Sequence, residues 1–139
     1  MPGTIVRRLT GSAGAKIFKI PVPLLSSPTQ LTGSRLMSLE IDYEIATDVL
    51  TADSLIFRRT TRGADGSPAV VDVLAHSYDT DHDLIAERGA IGIHRMLLTL
   101  TVQPWIDNDQ HIHCSWSITK NANTVFYFYG AFANFYWRD

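Results

Sequence analysis

Residues 37–46 read MSLEIDYEIA. Met37, Leu39, Ile41, Tyr43 and Ile45 are apolar, and Ser38, Glu40, Asp42 and Glu44 between them are polar. Successive side chains of a strand point to opposite faces, so this period of two predicts a strand with one buried and one wet face. The same pattern recurs in RMLLTLTV, 95–102, where Met96, Leu98, Leu100 and Val102 oppose Arg95, Thr99 and Thr101. It recurs again in HIHCSWSIT, 111–119, where Ile112, Cys114, Trp116 and Ile118 form the apolar set. Weaker strands are read at 15–22, 54–62 and 69–78.

Turn chemistry separates these runs. GADGSP at 63–68, DND at 107–109 and NAN at 121–123 are each expected to close a hairpin. PLLSSPTQLTGS, 23–34, reads as a loop or an edge extension, because Pro21, Pro23 and Pro28 cannot donate to a central ladder. Only TDHDLIAERG, 80–89, looks helical, with Thr80 or Asp81 as cap and Gly89 as stop, giving one short helical turn near residues 81–88. About seven or eight strands at close spacing predict an all-β, two-sheet sandwich, and among sandwiches a jelly roll. Residues 1–33 form a basic N-terminal arm in this reading, and 34–139 the sandwich domain.

Composition excludes several classes. A chain of 139 residues suits one core, and 45% apolar with 19% charged residues is ordinary globular usage. The single cysteine, Cys114, excludes an intrachain disulfide framework. No apolar run reaches membrane-span length, so no membrane contact is expected, and MPGTIVRRLTGSAGAKIF has no hydrophobic signal core, which points to synthesis in the cytoplasm. Residues 1–39 carry Arg7, Arg8, Lys16, Lys19 and Arg35 and no acid, whereas 63–139 carry four basic residues and nine acidic ones. Five dispersed charges make a thin polyanion footprint, so the arm is expected against the body rather than on nucleic acid.

No motif specifies a reaction. Asp79, Asp81 and Asp83 alternate as the first ligands of an EF-hand do, but Leu84 stands where that loop needs glycine and Ala90 where it needs glutamate. His111 and His113 share an outward strand face and could chelate a metal only with a third ligand such as His76, His82 or His94. These five residues are weak metal candidates, and no metal or other cofactor is expected. The pair could equally face a neighbouring subunit. Cys114 lies on the apolar parity, where an inert thiol belongs, and no nucleophile elbow or phosphate loop is present. Glu40, Asp42 and Glu44 read as a solvated face, and Asp53 with Arg58, Arg59 and Arg62 as surface or interface charges. An enzyme is not expected.

TVFYFYGAFANFYW, 124–137, holds eight of the fourteen aromatic residues, with neither parity suited to water. Phe126, Phe128 and Phe132 are expected to fill the core. Tyr127, Tyr129, Phe135 and Trp137 are expected to meet a partner subunit. Gly130 falls mid-run, where a bulge or bend is expected to let the strand pass from one sheet to another. The opposing reading covers the second parity with the chain's own N-terminal arm.

The strand run, SYDTDHDLIAERG (77–89), HRMLLTLTVQPWIDND (94–109) and FYGAFANFYW (128–137) together resemble small all-β structural proteins of bacteriophages and viruses. The resemblance covers about residues 34–137. It implies a single jelly roll serving as a capsid or decoration subunit, located in the virion and assembling with itself as a trimer or larger shell, with other virion proteins as further partners. The chain lacks the dense Arg-rich arm of many genome-packaging coat proteins. A lectin-type module is the competing class, with Trp105, Trp116 or Trp137 stacking on sugar and Asp79–Asp83 holding calcium.

Overall fold

The computed structural model describes residues 7–9, 11, 13–22, 34–106 and 109–137, with backbone alone at 7, 8, 34 and 137. Its strands are β1 (Arg7–Leu9), β2 (Gly14–Val22), β3 (Ser34–Ala46), β4 (Leu50–Thr61) and β5 (Val70–Leu74). They continue with β6 (His76–Tyr78), β7 (Gly92–Leu100), β8 (Trp105–Ile106), β9 (Gln110–Lys120) and β10 (Val125–Trp137). A 3-10 turn (Thr80–His82) and a one-turn helix α1 (Ile85–Arg88) fill the β6–β7 connection.

Every pairing is antiparallel. One sheet, here sheet A, runs β1-β10-β3-β7-β6 with β8 also on β3, and sheet B runs β2-β9-β4-β5. The partners nest: β1 pairs with β10, β2 with β9, β3 with β7 and β4 with β5. The contacts β10–β3 and β9–β4 then join these ribbons side by side. A nested ribbon rolled into two facing sheets is the jelly-roll topology. Residues 1–33, read as an arm, supply β1 and β2 from their described part, and the 23–33 loop lies outside the described residues.

The core is the inward parity of both sheets. Leu39, Ile41, Tyr43, Ile45, Met96, Leu98, Leu100 and Phe126 from sheet A face Phe18, Ile20, Leu55, Phe57, Ile112, Cys114, Trp116 and Ile118 from sheet B. Val102 falls beyond the end of β7 and is exposed. The 64–67 turn closes the β4–β5 hairpin with Ser67 N–H donating to the Ala64 carbonyl at 2.8 Å. The NAN segment differs from expectation. It links β9 in sheet B to β10 in sheet A, so it is a crossover and not a hairpin turn. Most of DND lies outside the described residues.

The aromatic strand divides differently from the sequence reading. Its register on β3 steps from Phe128↔Tyr43 to Gly130↔Asp42, so one extra residue enters β10 there, and Gly130 has φ +154°. A one-residue bulge reverses which parity faces inward. Phe126 and Phe128 point to the core before it, and Ala131, Ala133 and Phe135 after it. Phe132, expected inside, is 59% exposed, while Phe135, expected at a subunit contact, packs on the core. The strand does not change sheets at Gly130, since β3 stays its partner to Trp137. A second shift at Asn134/Phe135 adds Met37 to β3, which buries Leu36 and turns Met37 outward.

The bulge sets opposite outcomes for two phenylalanines of one strand. Phe126→Ala should cost about 3–5 kcal/mol, and Phe132→Ala about 0.5 kcal/mol or less, in denaturant unfolding. Equal losses would place the bulge elsewhere.

Candidate functional site

The polar cluster in SYDTDHDLIAERG folds into the interior rather than around an ion. Gly89 ends α1 where no larger residue fits, since a Cβ there would stand 2.9 Å from the Ile85 carbonyl oxygen and 3.0 Å from Leu50 Cβ. At the start of α1, Leu84 N–H donates to Glu87 Oε2 at 2.9 Å. These two ends place Arg88 over the mouth of the sandwich.

Arg88 Nε donates to Asp53 Oδ2 at 2.9 Å and Nη2 to Oδ1 at 2.8 Å, a bidentate pair with the Asp53 side chain 1% exposed. Trp116 Nε1 adds a third bond to Asp53 Oδ2 at 3.0 Å. Arg88 Nη1 donates to the carbonyls of His82 and Asp83, and the Tyr43 hydroxyl donates to the Arg88 carbonyl at 2.8 Å. The guanidinium also lies 4.1 Å from the Tyr78 ring centroid. Burial opposes the Arg88 charge, and the Asp53 hydrogen bonds and carboxylate outweigh it, so its pKa is raised. The Tyr43 hydroxyl is pushed strongly upward, first by burial and then by Asp53. Asp53, read from the sequence as a surface charge, is thus buried. Its parity with Leu55 and Phe57 is the signal that marks it as inward.

Beside this pair runs a chain of rings. His82 Nδ1 lies 2.7 Å from Asp79 Oδ1, His82 Nε2 lies 3.1 Å from His94 Nδ1, and His94 Nε2 lies 2.8 Å from the Ala90 carbonyl oxygen. A carboxylate and a carbonyl only accept, so His82 donates from Nδ1 to Asp79 and His94 from Nε2 to the Ala90 carbonyl. Burial pushes the His94 pKa down, against the Ala90 hydrogen bond, and His82 adds to the depression.

Asp79, Asp81 and Asp83 do not converge. Asp79 accepts from His82 and from Leu97 N–H, and Asp81 and Asp83 are exposed. His111 and His113 stack on the outer face of sheet B with centroids 6.4 Å apart. His76 packs on Phe57 and Tyr78 instead, and His82 and His94 are committed to each other. Among the described residues no group of three or more His, Cys, Asp or Glu side chains could hold a metal ion. Cys114 is fully buried and burial pushes its thiol up to about 12, so it is not a poised nucleophile. Trp116 is likewise fully buried and is not available for stacking on a ligand.

The outer face of sheet A is the arrangement that stands out. Across its strands Tyr127 lies opposite Glu44 and then Ile93, Phe132 opposite Glu40 and then Leu97, and Tyr136 opposite Arg35 and then Trp105. Tyr127 and Tyr129 stack in parallel at 6.2 Å, and the Tyr129 hydroxyl donates to Glu44, which with burial pushes its pKa up to about 12. Trp105 meets Tyr136 edge-on at 6.4 Å. Ile93, Phe132 and Tyr136 are 68%, 59% and 57% exposed. The Trp137 side chain lies outside the described residues. Phe132 and Tyr136 were missed as face residues because parity counting ignores the bulge.

The class defined by this geometry is a jelly-roll sandwich with a sealed polar mouth and one aromatic outer face. No protein-family model, curated protein or solved structure matches the chain.

Removing one partner of the buried ion pair leaves the other charge unpaired, so Asp53→Asn should cost about 3–5 kcal/mol in denaturant unfolding. A loss below about 1 kcal/mol would show the pair to be solvated. The pH dependence has a definite sign. His94 is held below its ordinary value of about 6.5, so the unfolded chain binds the proton more readily and stability is lost as pH falls below about 6.5. Melting temperature should fall across that range, and His94→Phe should flatten part of the slope. An unchanged slope in His94→Phe would remove this residue from the acid response.

Proposed function

We propose that this chain is a self-associating structural subunit, a capsid or decoration protein of a virion or a similar shell. The observation that carries the reading is the aromatic outer face of sheet A. An antiparallel sheet packed on one side normally turns polar side chains to water on the other. Here Tyr127, Tyr129, Phe132 and Tyr136 run along β10, and Ile93, Leu97 and Trp105 stand on β7 and β8 beyond the polar outward residues of β3. A stripe of exposed rings on an outer sheet face is the kind of surface a partner covers. Tyrosine and tryptophan supply large contact area with a polar tip, the composition of contact hot spots.

The rest of the molecule supports an architectural role over a catalytic one. Arg88, Asp53, His82 and His94 are bonded to one another or to nearby groups, and buried Lys120 donates to the carbonyls of Gly11 and Asn121. The resemblance of the strand run and of FYGAFANFYW to virus and phage structural proteins agrees with this reading, and the self-contact needs no cofactor.

Light scattering across concentration tests it. The wild-type chain should show masses that are multiples of the 15.5 kDa protomer. Phe132→Asp should keep its circular dichroism spectrum and melting temperature while shifting half-assembly to at least about tenfold higher concentration, as loss of an interface anchor does. A wild-type protein that stays monomeric at every concentration would refute the proposal.

A further inference from the structure

The two outer faces of the sandwich are chemically unlike. On sheet B the outward positions are Ile17, Lys19 and Pro21 of β2, His111 to Thr119 in alternation on β9, Ile56 and Arg58 of β4, and Val71 and Val73 of β5. The two acids in these strands, Asp53 and Asp72, lie on the other parity, with Arg88 and Arg59. The outward side thus carries the two cations Lys19 and Arg58 and no carboxylate among the described strand residues. The His113 pKa reflects this: burial lowers it first, and Arg58, His111 and Lys19 each lower it further. Three apolar side chains stand clear on the same face, with Ile17 58%, Val71 54% and Val73 68% exposed.

Sheet A presents three outward carboxylates against two arginines, Arg35 and Arg95. Glu40, Asp42 and Glu44 form a column beside the aromatic stripe. Arg95 pairs with Asp42, and Arg35 stands at the far end, donating to the Gln103 carbonyl. Among the described residues no cation lies within ion-pair distance of Glu40 or Glu44, and no carboxylate within that distance of Lys19 or Arg58.

We infer that copies of this chain associate head to tail, the outer face of sheet A on one copy seating on the outer face of sheet B on the next. The inference rests on the self-association reading and adds the partner surface and its symmetry. A twofold contact of sheet A with itself sets the acidic column against its own copy, and one of sheet B with itself sets cations against cations; like charges in contact are costly. The unlike pairing removes both conflicts and sets a face bearing the exposed rings of Phe132 and Tyr136 against one bearing exposed Ile17, Val71 and Val73. Such a contact is heterologous, so it repeats from copy to copy, closing into a ring where the rotation between copies permits and running on as an open filament where it does not.

Charge reversal tests the pairing. Glu40→Arg alone and Arg58→Glu alone should each raise the concentration of half-assembly by about tenfold in sedimentation or light scattering, since each sets like charges together at every contact. An equimolar mixture of the two variants, and a single chain carrying both changes, should return to about the wild-type value, because each reversed face then meets its complement. If the wild type assembles but neither the mixture nor the double variant improves on the single variants, the head-to-tail pairing is wrong while self-association stands. A wild type that never assembles overturns the self-association reading and this inference with it. Both sites are on open faces; should either variant melt well below wild type, Glu44→Arg with Lys19→Glu repeats the comparison.

Discussion

The Arg88–Asp53 ion pair is the constraint on which the sandwich depends at its open end. Asp53 belongs to sheet B, while Arg88 hangs from the connection between β6 and β7 of sheet A. Asp53 accepts bonds from Arg88 Nε, Arg88 Nη2 and Trp116, and the remaining Arg88 groups reach the carbonyls of His82 and Asp83. A buried pair satisfied to this degree adds little net stability over apolar packing, but breaking it is costly. Its effect is therefore on alignment. It holds the mouth of one sheet over the other, and Tyr43 carries that alignment into the core by stacking on His94 and Phe126 and meeting Trp116 edge-on.

With the interior sealed in this way, what remains to act is the surface. The nested ribbon leaves two broad outer faces, and the bulge at Gly130 decides the composition of one of them. Without that extra residue Phe132 would point inward and Phe135 outward. With it, Tyr127, Tyr129, Phe132 and Tyr136 share one side. A backbone irregularity of one residue thus links the sequence of β10 directly to the proposed contact between subunits.

Much of the fold is legible in the sequence because burial of one sheet face imposes strict alternation. HIHCSWSIT and the Leu39 to Ile45 run give their inward sets without error, and GADGSP marks its hairpin. Three features are not legible for physical reasons. Gly130 shows that β10 is interrupted, but not whether the strand crosses sheets or slips register, since both need the same residue. NAN marks a turn, but a local signal says nothing about which sheet the next strand joins. The Asp53–Arg88 pair spans 35 positions, and only the inward parity of Asp53 hints at it. Likewise the aromatic excess in residues 124–137 marks the strand behind the proposed contact, while which of its rings face outward depends on a bulge that pattern alone does not place.

Hydroxyl-radical footprinting of the wild-type protein at low and high concentration tests the central claim, association through the outer face of sheet A, most directly. Oxidation at Tyr127, Tyr129, Phe132 and Tyr136 should fall as concentration rises, while Leu84 and Val102, exposed outside both outer faces, should keep their reactivity. Undiminished oxidation of the four rings in a protein that has assembled would contradict the account, because subunits would then meet elsewhere.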